Sequence, residues 1–176
     1  DGGLMEAIAT QYLEADAASI TFSGITGTYE HLQLAGNARC TGTGTTLFDW
    51  QIEFNASAGT AYSTHTMQFY DAIKYAKRYT GSAFITLAAQ AAGDGIPATD
   101  YGLFIIDILD YANTNKNTTC QTTSGAALTQ DTGTVRIAYG SGLWDDTAAV
   151  TQIKLTPSSG SVQRGSEFTL YGMSSS

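Results

Sequence analysis

The chain has 176 residues, of which 14% are charged, with a net charge of −8 and a pI near 4.4. That length suits one domain with a core of its own, and a charged fraction so far under the usual ~25% leaves a surface of hydroxyls and amides. Of the Lys and Arg residues only Lys74, Lys77 and Arg78 cluster, too few for a nucleic-acid-binding patch. No apolar run has the length of a transmembrane helix.

In chain order, residues 1–14 carry Leu4, Met5, Ile8, Tyr12 and Leu13 among small residues. They read as an extended N-terminal arm or an edge strand, and residues 1–7 lack the basic start and apolar stretch of a signal peptide. Residues 18–25 alternate, with Ile20 and Phe22 opposite Thr21 and Ser23, and after a turn residues 29–34 place Leu32 and Leu34 inward. A Gly/Thr loop at 41–45 leads to the cleanest strand, residues 48–54. There Phe48, Trp50, Ile52 and Phe54 share a face against Asp49, Gln51 and Glu53. Trp50 is therefore expected in the core.

Residues 62–70 alternate more weakly, with His65, Met67 and Phe69 on one side. Residues 71–79 are predicted as the one short helix. Strands recur at 83–89, 103–111, 117–122 and 134–139, joined by Gly, Asp, Asn and Thr clusters such as residues 92–95 and 123–125. The segment 103–109 is apolar on both faces: Leu103, Ile105 and Leu109 oppose Phe104, Ile106 and Ile108. Such a strand leaves an apolar stripe for self-association. The chain closes with alternation over 150–155, a polar turn at 157–160, and a last run over 164–172 that buries Phe168 and Leu170. These two segments form a hairpin or cross between sheets.

About eight to ten strands at this spacing specify an all-β, antiparallel β-sandwich or barrel, and the ending favours the sandwich. With no internal repeat and no long linker, residues 15–176 read as a single sandwich domain.

Little in the chain announces chemistry. His31 and His65 both fall in strands, and Ser63 lies two positions before His65, where same-strand neighbours simply share a face. Asp145 with Asp146, or Asp107 with Asp110, have the residue types for glycoside hydrolysis but read as turn formers or edge residues. Two Cys and two His without close spacing give no zinc motif. The loop carboxylates Asp94, Asp100, Asp145 and Asp146 offer oxygen donors for calcium, without EF-hand spacing. The sequons at Asn55 and Asn117 read as Asn-rich turns. No catalytic, cofactor or metal residue is assigned. Cys40 and Cys120 are either a disulfide, contributing ~4 kcal/mol in the chain-entropy model, or two unrelated thiols. Trp144, in the glycine-rich segment 140–146, reads as a loop residue and a candidate ligand contact.

Two stretches carry a resemblance. Ala18-Ser19-Ile20-Thr21-Phe22-Ser23-Gly24-Ile25, with Gly27-Thr28-Tyr29-Glu30-His31-Leu32-Gln33-Leu34, resembles the N-terminal strands of a group of tailed-phage virion proteins. Trp144, residues 148–155, a Ser/Gly turn and Gly165-Ser166-Glu167-Phe168-Thr169-Leu170-Tyr171-Gly172 resemble the end of the same group. The pair of cysteines departs from the pattern. The resemblance implies a jelly-roll-like sandwich and a non-enzymatic structural role in the virion, as a capsid decoration or cement protein that stabilises the shell. It implies contact with the major capsid protein or other virion proteins, often as a homotrimer, and a location on the outer capsid surface or tail. No cofactor, nucleic acid or membrane enters this expectation. The alternative is a tail-fibre or receptor-binding, carbohydrate-binding module, since Tyr, Trp, Thr and Asn are suited to saccharide contacts.

Overall fold

A computed structural model describes residues 4–44, 47–70, 73–91, 96–127 and 136–174. Among these the backbone forms twelve strands and no helix. They are β1 (Met5–Tyr12), β2 (Ile20–Ser23), β3 (His31–Ala38), β4 (Leu47–Phe54), β5 (Tyr62–Tyr70), β6 (Ile73–Ser82), β7 (Ile85–Ala91), β8 (Gly102–Leu109), β9 (Thr118–Ala126), β10 (Arg136–Trp144), β11 (Gln152–Pro157) and β12 (Glu167–Met173). The large sheet has the order β1-β12-β3-β8-β9-β10-β5-β6, and the small sheet β2-β11-β4-β7. Every pairing is antiparallel. The result is a β-sandwich in which the chain passes repeatedly from one sheet to the other, as in a jelly roll.

The period-2 alternation sets the faces. β3, β8 and β12 bury Leu32, Leu34, Phe104, Ile106, Ile108, Phe168 and Leu170 against Ile20, Phe22, Trp50, Ile52, Phe54, Ile153 and Leu155 of the small sheet. Trp50, Phe104 and Phe168 form one aromatic triad with ring centroids 6.0–6.4 Å apart. A second triad joins Phe54, Tyr62 and Trp144, and the Tyr62 hydroxyl both accepts from the Phe54 N–H and donates to its carbonyl. Gly36 makes the first triad possible. A Cβ there would sit 2.4 Å from the Phe104 ring, so no larger residue fits without moving it.

β11 and β12 settle the ending: they lie in different sheets, so residues 150–172 cross the sandwich rather than form a hairpin. β12 is inserted between β1 and β3. β4 keeps Trp50, Ile52 and Phe54 inward, but a register shift against β7 between Phe48 and Trp50 turns Phe48 partly out and Leu47 in.

The helix expected at 71–79 is a correction. Residues 73–82 are a strand, paired with β5 from Tyr70↔Ile73 to Tyr62↔Ser82, and residues 71–72 lie outside the described residues. Ile73, Tyr75, Tyr79 and Thr80 favour extended backbone, and pairing with β5 satisfies the polar groups along one side of this edge strand.

β7 is one of the two edge strands of the small sheet, β2 being the other. The β7 edge is closed from across the sandwich: the Thr64 hydroxyl accepts from the Thr86 N–H, and the Ser124 hydroxyl donates to the Ala88 carbonyl. The layer between β7 and the large sheet is accordingly polar and thin, with Thr64, Thr66, Gln68, Thr122 and Ser124 buried. Near the other end, Arg39 is buried and clasps the loop before β8 by donating to the carbonyls of Ile96, Pro97 and Asp100 and to Gln163 Oε1.

Met5–Tyr12 forms an edge strand, paired with β12 alone and largely exposed. A chain beginning at Ala15 should therefore still unfold cooperatively, with a lowered Tm, because the core lies in the strands that remain. Thermal denaturation followed by circular dichroism checks this; a shortened chain without a transition would make β1 part of the folding core.

Candidate assembly surface

Directly opposed residues of an antiparallel pair project to the same face, so strand register maps the outer surface of the large sheet row by row. One row runs Leu103, Gly125, Ile137, Phe69, Lys74 across β8, β9, β10, β5 and β6. The next runs Ile105, Thr123, Tyr139, Met67, Ala76, and the third Asp107, Gln121, Ser141, His65, Arg78. Leu109 begins a fourth. The inward alternates of these strands hold the core or the thin polar layer, which turns the remaining apolar side chains to solvent. Leu103 is 65% exposed and Ile137 51%, and Ile105, Leu109, Tyr139, Met67 and Phe69 are also exposed. These exposed apolar side chains lie together on one face rather than scattered singly over the surface.

The surface is bordered by charge and is not flat. Lys74 and Arg78 stand at the β6 border, while Asp107, which accepts a 2.7 Å hydrogen bond from Gln33 Nε2, stands on β8. A hollow of ≈ 480 Å³ opens over Gly125, with Leu103, Ile105, Ile137 and Tyr139 around it. A second of ≈ 690 Å³ lies between Leu109, Gln121, Tyr139, Met67 and His65. The stripe predicted on β8 is one border of this surface. Its continuation through Ile137, Tyr139, Met67 and Phe69 was missed, since alternation gives a strand two faces without saying which is inside.

Trp144 is a correction. It is the last residue of β10, 1% exposed, and stacked on Tyr62 in the second aromatic triad, so it cannot serve as a surface ligand contact. Gly140 and Gly142, which made the segment read as a loop, are inward-facing strand positions. A Cβ at Gly142 would lie 2.6 Å from Ile85, and one at Gly140 2.6 Å from the Thr122 hydroxyl. Glycine at 142 admits the close approach of β7, and glycine at 140 leaves room for the Thr122 and Thr66 side chains.

The disulfide alternative is also corrected: Cys40 and Cys120 are both buried and unpaired. Cys40 bridges toward Val162, whereas Cys120 lies on the inner face of β9 beside Gly142. Burial raises both thiols, that of Cys120 to about 12. Thiolate is the reactive form, so neither should react with a thiol reagent at neutral pH until the chain unfolds. Two equivalents released on denaturation and almost none before is the expected titration; rapid native labelling would contradict the packing.

Most of the remaining candidates are held in structural bonds. His31 Nδ1 accepts from the Asp110 N–H at 2.9 Å, and His65 stands exposed on the outer face beside Arg78 in register, with Ser63 on the same strand. Asp107 and Asp110 do separate work. Asp110 sits in a turn at φ 56° with Lys116 Nζ at 2.6 Å, and the bonds from Lys116 and Asn113 hold its carboxyl below the usual range. Asp145 accepts from Asn117 Nδ2, and Asp146 from the Ala148 N–H. Asp100 lies buried against Arg39, and Asp94 lies outside the described residues. Among the described residues no cluster of His, Cys, Asp or Glu converges on a metal position. Asn55 spends its side chain on the chain itself, accepting from the Thr151 and Gln152 N–H groups and donating to the Ala149 carbonyl.

Comparison with protein-family models, with curated proteins and with solved structures gave no match. The likeness to tailed-phage virion proteins rests on the sequence segments alone.

Proposed function

We propose that this chain is a non-enzymatic structural protein of a virion, a decoration or cement subunit that stabilises a phage shell, with the outer face of its large sheet as an assembly surface. The observation that carries the assembly part is the solvent-facing apolar area on β8, β10 and β5, bounded by Lys74 and Arg78. The virion part is supported by the resemblance of residues 18–34 and 144–172. Its partners in this reading are the major capsid protein or other virion proteins together with further copies of itself, and its place is the outer capsid surface or the tail. Quantitative mass spectrometry of purified particles tests the proposal. Hundreds of copies per particle mean a shell subunit, and a handful mean a tail component. Absence from the particle overturns the reading.

A carbohydrate-binding role, as in a tail-fibre module, loses Trp144 but keeps one feature. At the open end of the sandwich a recess of ≈ 430 Å³ is lined by Phe48, Phe84 and Tyr79 with Gln51 and Arg136, rings and polar donors of the kind that hold sugars. Glycan-array binding that is lost in Phe84→Ala would favour this second reading.

A further inference from the structure

We propose that the outer face of the large sheet pairs with the same face of a second copy, about a two-fold axis running along β10. This deepens the reading above by naming a further copy of the chain, rather than the shell, as what covers this assembly surface, and it rests on that reading.

Register supplies the argument. A two-fold axis parallel to the strands and centred on β10 keeps each lateral row opposite itself and exchanges its two ends. β6 of one copy then lies over β8 of the other, and β5 over β9. In the third row this sets Arg78 over Asp107, and the symmetry makes the ion pair twice. In the first row it sets the ring of Phe69 over Gly125, the position with no side chain and the floor of the ≈ 480 Å³ hollow. Tyr139 meets its own copy on the axis. One operation thus sets Arg78 against Asp107 and Phe69 against the hollow, the self-complementarity that an isologous contact demands, while Lys74 comes to lie over Leu103, where its stem can cover the apolar side chain with its charge at the rim.

A sheet face paired in this way closes with two copies, so the pairing replaces the trimer expected from sequence. Five strands at ~4.8 Å spacing and four rows at ~6.8 Å give a contact roughly 20 Å square, about 800 Å² over both copies, which is below the ~1,200 Å² of stable specific interfaces and in the range of weak, transient ones. The pair should accordingly form over a measurable concentration range rather than be permanent.

Sedimentation velocity of the full chain across that range tests the proposal. The wild type should pass from monomer to dimer as concentration rises. Arg78→Asp, at an exposed position, should weaken the dimer ~10-fold or more by setting like charges together, and the double variant Arg78→Asp/Asp107→Arg should restore it. Phe69→Ala should weaken it without touching the charges, and circular dichroism confirms that each variant is folded. A wild type that stays monomeric to about 1 mM, a dimer indifferent to Arg78→Asp, or a folded double variant without recovery would each overturn the pairing. A monomeric protein abundant on purified particles refutes the pairing and leaves the virion reading standing. A dimer absent from particles does the reverse.

Discussion

A chain ending at Gly165 should be insoluble or molten, with no cooperative unfolding transition. Removing residues 166–176 takes out β12, which lies between β1 and β3 and is the sole partner of β1. Phe168 and Leu170 are fully buried, and each such side chain is worth ~1.5–3 kcal/mol in burial alone. The loss also opens the Trp50–Phe104–Phe168 triad, strands the ladder bonds of two neighbours, and removes the Ser166 hydroxyl that accepts from the Arg39 N–H. Against a total stability of ~5–15 kcal/mol, that sum leaves little to hold the sandwich. Near-ultraviolet circular dichroism and a denaturant titration decide it: a sharp transition in the shortened chain would refute the place of β12 in the sheet.

The largest single-residue effect should come from Trp50→Ala, at ~3–5 kcal/mol. Trp50 has no exposed surface and touches rings from both β8 and β12, so truncation leaves a cavity whose walls belong to opposite sheets and cannot easily collapse. The measurement is equilibrium urea unfolding, supported by emission. Both tryptophans are buried, so native fluorescence should be blue-shifted and move red on unfolding. A loss below ~1 kcal/mol would mean that β4 has been given the wrong register.

The two-sheet architecture was legible because β3, β12 and residues 50–54 of β4 obey strict alternation around large apolar residues. Strand order was not, since the neighbours of β12 come from positions far back in the chain and no local pattern names them. Three local signals also misled for identifiable reasons. Residues 73–82 mix Lys, Ala and Tyr so evenly that a short helix and a strand exposed on both faces look alike. Gly140 and Gly142 resemble loop punctuation, yet they are thin places on the inner face of β10, filled by Thr122 and Thr66 at the first and by Ile85 of β7 at the second. On β5 the apolar alternates Met67 and Phe69 face solvent while Thr64, Thr66 and Gln68 face inward, the inverse of the usual rule. The inverse holds because β7 comes close enough there to need hydroxyls rather than hydrocarbon. The candidate surface was half visible for that reason: β8 announced it, and β5 concealed it.

The pairing of Met5 with Met173 brings the beginning and end of the described chain side by side on one edge of the large sheet. A short peptide joining them, with the backbone opened instead at the exposed Ala58–Gly59 turn, would preserve all twelve strands while converting β12 and β1 from the most distant partners in the molecule into a hairpin. In the natural order, β1 must wait for nearly the whole chain to be synthesised before it has anything to pair with, and a sheet of such non-local contacts folds slowly. The permuted order would lift that wait, so refolding of the permutant should be faster at nearly unchanged native structure.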